Sequence, residues 1–193
     1  QSDALGLGHA VLCAKHLIND EPFTVLLPDV LVLDKDSRDQ NYSFASMIDA
    51  WNATGIGHVM VERVRSDEIE NYGVADLGEK TSEPFESTPL TGLVEKPSAK
   101  EAPSNLAVLG RYILPSNVLD LLGKTIAGVG GEIQLTDALD ELTKLDGLNA
   151  FETDAEIFDC GHKLGLLSAN LAVGMRDPTT KHEIKTLINK SGW

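Results

Sequence analysis

Glu95 and Lys96 set a carboxylate beside an ammonium at the end of the apolar run Gly92-Leu93-Val94, and Pro97 follows at once. A carboxylate accepts hydrogen bonds from two hydroxyls, as on a sugar, and a lysine is a compact cation for a phosphate. The pair therefore reads either as a phosphate or sugar subsite or as a solvated strand end. Strict alternation along a strand sends consecutive side chains to opposite faces, so a joint site requires a twist or bulge there. Pro97 biases Lys96 toward an extended backbone.

Two further carboxylates stand in informative places. Asp29 follows the apolar run Phe23–Leu27 and Pro28, at the expected carboxyl end of a central strand, where open α/β sheets bind ligands. Asp159 lies in the tight turn Phe158-Asp159-Cys160-Gly161 before a helix. Two such groups suit Mg²⁺, a hard cation that keeps waters and shares phosphate oxygens. The structural alternatives are a turn former for Asp29 and a helix N-cap for Asp159.

Other chemistries find less support. The chain has five histidines and two cysteines, with no GxSxG elbow, no zinc-type His spacing and no Walker A run. The glycine segment Gly6-Leu7-Gly8-His9 lacks the full GxGxxG pattern and precedes the first strong strand, which argues against a dinucleotide fingerprint.

The elements that must position these residues alternate between strand and helix. Helices are expected at His9–Ile18, Ser43–Asn52 and along Glu132–Leu145, and again around Leu164–Met175 and Lys181–Asn189. Strands are expected at Phe23–Leu27, from Gly57 to Val64, near Tyr72-Gly73-Val74, up to Glu95, over Asn105–Leu114 and near Ala150-Phe151. Gly128–Gly131 reads as a turn. The alternation predicts an α/β fold, Rossmann-like, with a mixed, mostly parallel central sheet flanked by helices. No linker or internal repeat interrupts the chain, so residues 1–193 read as one domain.

Composition narrows the partners. At 193 residues with 42% hydrophobic and 24% charged residues, the chain can bury a sizeable core. A formal net charge of -14 argues against nucleic-acid backbones and anionic membranes, which need clustered Lys and Arg. A small anionic ligand remains compatible, because a few cations can reverse the field within one cleft. Cys13 and Cys160, without a CxxC pair or signal peptide, fit a reducing cytoplasm.

Taken in order, "GLGHAVLCA", "LLPDV", "YGV", "GLVEKP", "NLAVLGRYIL", "GEIQLTDAL" and "DCGHKLG" resemble the bacterial UTP-glucose-1-phosphate uridylyltransferases along nearly the whole chain. That resemblance implies transfer of a uridylyl group from UTP to glucose 1-phosphate, with Mg²⁺ as cofactor and a homo-oligomeric assembly. By it, Gln1 and Gly6 match positions that contact the nucleotide base, and Gly8 belongs to the same loop. Gly73 would offer backbone to the glucose, Glu95 would accept its hydroxyls and Lys96 would hold its phosphate. Asp29 and Asp159 match the metal positions, with Lys96 and Asp29 the expected catalytic groups. In the family a strand and a glycine-rich loop precede the position of Gln1. The chain is therefore expected to be a C-terminal piece that is inactive alone. The alternatives are a thymidylyltransferase of the same superfamily and a non-catalytic regulatory paralogue.

Overall fold

A computed structural model describes residues 1–35, 42–128 and 131–191. Of the expected glycine turn, Val129 and Gly130 lie outside the described residues. The chain divides into two compact units, Gln1–Leu26 with Ser43–Asp154, and Leu27–Tyr42 with Ala155–Trp193. Each unit is assembled from two distant segments, so no linker-like stretch marks a boundary in the sequence.

The larger unit opens with helices α1 (Leu7–Cys13) and α2 (Lys15–Ile18), the expected single helix being interrupted at Ala14. Strand β1 (Phe23–Leu26) follows. In the smaller unit, β2 (Val30–Leu33) forms its own ladder. The larger unit resumes with α3 (Tyr42–Thr54), closed as expected by Gly55 at φ +69°, whose N–H reaches Trp51 O at 2.7 Å. Then come β3 (Gly57–Arg63), β4 (Gly73–Asp76), β5 (Ser87–Pro89), β6 (Gly92–Glu95) and β7 (Leu106–Leu114). Helices α4 (Val118–Leu122) and α5 (Leu135–Leu145) and strand β8 (Leu148–Glu152) complete it.

These strands form one sheet in the order β5-β8-β3-β7-β4-β6, with β1 added to β7. The mixed α/β sheet is as expected, but its strand directions correct the mostly parallel reading. Among the described residues β3 and β8 are the parallel strand pair, while β7 runs antiparallel to β1, β3 and β4. Likewise β6 pairs with β4 and is not the direct neighbour of β7. Continuous apolar runs report burial on both faces, and that signal carries no direction. β3 shows it well: Val59, Met60 and Val61 are fully buried in a strand with one parallel and one antiparallel neighbour.

A central strand is expected at Phe23–Leu27, and the structure corrects this. In β1 the burial alternates and Leu26 is 50% exposed, so Asp29 follows a strand whose described partner is β7 alone. The nine-residue β7 takes β3 along one edge and both β4 and β1 along the other. It accommodates this with a register shift against Val59–Val61, where Gly110 adopts φ +66°.

Helix α5 shows most directly how sequence builds the site. Leu135, Ala138, Leu139 and Leu142 recur at helical spacing and are all buried in the core with Leu93, Leu114 and Leu148. Burying three leucines and an alanine fixes the helix on the sheet by several kcal/mol, at roughly 1.5–3 kcal/mol per large side chain. Its other residues are then held in place against β6.

In the smaller unit β2 pairs antiparallel with β9 (Glu156–Asp159), followed by α6 (Lys163–Arg176) and α7 (Pro178–Ser191). Among the described residues no helix is long and apolar enough to cross a membrane.

Candidate active site

Glu95 ends β6 directly opposite Gly73 in the β4 register. One residue on, Lys96 adopts φ +45°, and its N–H still donates to Tyr72 O at 3.0 Å, so the ladder continues while the chain turns. This is the irregularity the pair requires. Proline disfavours a right-handed helical conformation before it, but that restriction does not force an extended one, and the expected extended Lys96 is corrected. The turn brings Lys96 Nζ to 3.7 Å from Glu95 Oε1, with the ammonium exposed and the carboxylate largely buried.

The second oxygen of Glu95 is already held. Thr136 Oγ1 donates to Glu95 Oε2 at 2.7 Å. Gly73 leaves the space for this contact, since a Cβ there would stand 3.3 Å from Glu95 Oε2 and 3.4 Å from Thr136 Oγ1. One turn along α5, Asp140 Oδ1 accepts the N–H of Leu93 at 3.0 Å, satisfying a backbone group on the edge of β6 away from β4. Lys144 Nζ in turn grips Asp140 Oδ2 at 2.6 Å. Gly73, Glu95 and Lys96 are thus brought together, and Thr136 and Asp140 join them. Sequence reasoning missed these two, although their i, i+4 spacing beside buried Leu135 and Leu139 places them on one helical row.

Negative charge collects here. Burial, then the charges of Glu95 and Asp140, raises the Asp137 carboxyl above its ordinary range. Burial, with Glu95 adding to it, also pushes the Tyr112 phenol up. Lys96 meets this field beside Glu95, and Lys144 meets it at Asp140.

The glycine loop forms a second group in the same unit. Gly8 N–H donates to Ile133 O and Ile133 N–H to Leu5 O, each at 2.9 Å, so the loop is laced to the strand-like run before α5. A Cβ at Gly8 would lie 2.7 Å from Ile133 O, and one at Gly6, where φ is +93°, 2.8 Å from the same oxygen. Only glycine permits this approach. The Gln1 Nε2 amide donates to Gly6 O at 3.0 Å and also lies 3.0 Å from His9 Nδ1. The short segment from Glu132 to Thr136 therefore touches Gly6 and Gly8 through its start and Glu95 through its end.

Asp29 and Asp159 meet within the smaller unit. Cys160 N–H donates to Asp29 O at 2.7 Å, extending the β2–β9 ladder in which Val30 faces Asp159. An ideal Cβ on Gly161 would stand 2.9 Å from Asp159 Oδ1 and 3.4 Å from Asp29 Oδ2, so both carboxylates border the same small space. Asp159 is not the N-cap of α6. That position belongs to His162, whose Nδ1 accepts from Gly165 N–H at 3.1 Å, while Asp159 Oδ1 takes the N–H of Gly161 at 2.8 Å. Asp29's carboxylate accepts no hydrogen bond among the described residues. Two converging carboxylates, one with unspent lone pairs, suit a hard divalent cation that completes its shell with water and phosphate oxygens. No cluster of three or more His, Cys, Asp or Glu ligands occurs among the described residues.

Comparison with known proteins gives the family. The family model described as nucleotidyl transferase matches residues 1–175. A UTP–glucose-1-phosphate uridylyltransferase of Haemophilus influenzae is 44% identical over 97% of the chain, and that of Escherichia coli K12 is 43% identical over 98%. The chain spans 64% and 62% of these two relatives' lengths. A UDP-glucose pyrophosphorylase structure from Acinetobacter baumannii superposes with a TM-score of 0.85 at 40% identity, covering 97% of this chain and 63% of that one. A UTP-bound structure of the enzyme from the same organism also scores 0.85, at 41% identity, covering 96% of this chain and 62% of that one. A glucose-1-phosphate thymidylyltransferase from Bacillus anthracis, 22% identical with a TM-score of 0.67, shares the fold. This chain belongs to the nucleotidyl transferase family.

Proposed function

We propose that this chain carries the sugar-phosphate and metal-binding parts of a UTP-glucose-1-phosphate uridylyltransferase. The observation that supports it most is the turn at Lys96, which sets an exposed ammonium beside Glu95 Oε1 over the glycine at position 73. In this reading Glu95 accepts glucose hydroxyls, Gly73 admits the sugar close to the backbone and Lys96 meets the phosphate of glucose 1-phosphate. Gln1 and the Gly6–Gly8 loop face the uracil of UTP.

The reaction is an in-line displacement. An oxygen of the glucose 1-phosphate phosphate attacks the α-phosphorus of UTP, the bond to the bridging oxygen breaks, and pyrophosphate leaves. No protein nucleophile is needed. Lys96 offsets the repulsion between two anionic reactants and holds the attacking oxygen in place, so positioning and electrostatics are the protein's main contributions. Mg²⁺ bound by Asp29 and Asp159 would supply charge neutralisation at the phosphates.

The same proposal includes a cytoplasmic setting and self-association, for which the exposed Leu164, Leu167 and Leu171 of α6 offer an apolar helical stripe. Calorimetric titration with glucose 1-phosphate and Mg²⁺ tests the central claim. Saturable binding by the wild type that is lost in Lys96→Ala is expected. Binding that survives Glu95→Ala and Lys96→Ala together would put the sugar phosphate elsewhere. Competition between UTP and dTTP separates the uridylyl reading from the thymidylyl one.

A further inference from the structure

We infer that Thr136 is a positioning residue for sugar recognition: by holding Glu95 Oε2 it leaves Oε1, beside Lys96, as the oxygen that meets a hexose hydroxyl. This rests on the sugar-phosphate reading of Glu95 and Lys96 and assigns a role to a helix residue outside that pair.

The geometry is specific. A free glutamate at a strand end rotates about its last bond and presents either oxygen to solvent. Here the Thr136 hydroxyl donates to Oε2 at 2.7 Å, and Gly73 packs against both atoms of that bond without a side chain of its own. The carboxylate plane is thereby set. Oε1 alone remains next to the ammonium of Lys96, 3.7 Å away, so a ligand that engages the cation with a phosphate finds one defined acceptor nearby for its hydroxyl.

Thr136 is itself well anchored. It sits in the first turn of α5, between the buried Leu135 and Ala138. The row Thr136, Asp140, Lys144 runs along the helix face toward β6, with Asp140 bonded to Leu93 N–H. Helix α5 therefore braces the strand that carries Glu95 at two points, one on its backbone and one on its terminal side chain. A hydroxyl at position 136 can make this bond, and a methyl in the same place cannot.

The division of labour predicts a split. Losing the Thr136 hydroxyl should disturb recognition of the sugar and leave the phosphate contact to Lys96 intact. A general loosening of the fold would weaken both.

The test is an NMR titration of wild type, Thr136→Val and Thr136→Ser with glucose 1-phosphate and with inorganic phosphate, following the amides from Gly73 to Asp76 and from Leu93 to Lys96. Thr136→Val should weaken glucose 1-phosphate by about tenfold, the scale of one lost hydrogen bond to a charged group, and leave inorganic phosphate unchanged. Thr136→Ser, which keeps the hydroxyl, should recover most of the affinity. Wild-type affinity for glucose 1-phosphate in Thr136→Val, or equal weakening of both ligands, would overturn the inference. Absence of glucose 1-phosphate binding in the wild type would instead overturn the sugar-phosphate reading, and this inference with it. Urea midpoints for all three proteins show whether each is folded before it is titrated.

Discussion

Lys96 Nζ stands 3.7 Å from Glu95 Oε1 although the two residues are consecutive, because Lys96 takes φ +45° where β6 ends. Consecutive strand residues point to opposite faces, so this contact exists only through the turn. A non-glycine residue in the left-handed region carries about 1–2 kcal/mol of strain. Lys96→Gly should therefore raise stability by about 1 kcal/mol relative to Lys96→Ala, while both lose glucose 1-phosphate binding. Urea unfolding of the two variants measures the first effect and calorimetry the second. Equal stability of the two would show that the turn stores no strain.

A second relationship lies in the smaller unit. Gly161 is outside the left-handed region, so alanine there meets no backbone objection. Its methyl would instead intrude between the Asp159 and Asp29 carboxylates, 2.9 Å from the nearer oxygen. Gly161→Ala is expected to weaken divalent-cation binding by about tenfold or more with little loss of fold stability, since a ligand oxygen must shift by several tenths of an ångström. Mn²⁺ titration followed by electron paramagnetic resonance reads this. Wild-type Mn²⁺ affinity in the variant would place the cation away from these two aspartates.

Much of this arrangement is legible in the sequence where one physical signal dominates. The 3.6-residue spacing of Leu135, Leu139 and Leu142 announces α5 and its buried face, and Thr54-Gly55 announces the end of α3. The glycines at 6, 8 and 73 were singled out by the family resemblance alone, and their close approach to neighbouring atoms emerges only in the structure. Strand direction was not legible, because the apolar run of β3 looks the same whether its neighbours are parallel or antiparallel. The positive φ of Lys96 was not legible either, since local preference opposes it and tertiary contacts must enforce it. Thr136 was hidden for a third reason: its partner Glu95 lies 41 residues away, and no local spacing connects them.

The larger unit also contains an ion pair with one buried partner, the Glu152 carboxylate, and one half-exposed partner, the Arg63 guanidinium. Arg63 Nε and Nη2 donate to Glu152 Oε1 and Oε2 at 2.9 and 3.1 Å, and Nη2 also donates to Ser82 O at 2.8 Å. The Glu152 side chain is only 5% exposed. Arg63→Met removes the cation and leaves a buried carboxylate, at an expected loss of about 3 kcal/mol. Arg63→Lys recovers only part of it, because an ammonium cannot reproduce the two-pronged contact. Adding Glu152→Gln to Arg63→Met should restore stability substantially. Chemical denaturation of wild type, Arg63→Met, Glu152→Gln and the double variant forms the cycle, and additive losses would mean the pair is not coupled.

Glu62 makes the fold's stability depend on pH near neutrality. Burial, and secondarily the charge of Glu68, raises its carboxyl from 4.5 to about 7. The folded chain thus binds this proton more tightly than the unfolded chain does, and between these two values it holds the larger share of a proton. Stability from this group is fully present below about pH 4.5 and is lost as pH rises through 7. The loss amounts to about 2 kcal/mol for a partly buried group. Glu62→Gln should accordingly stabilise the protein at pH 8 and change it little at pH 4.5. The comparison of wild type and variant in urea at both pH values isolates this residue, because the two proteins differ at position 62 alone. A gain of equal size at the two pH values would assign the effect to packing, and not to the proton.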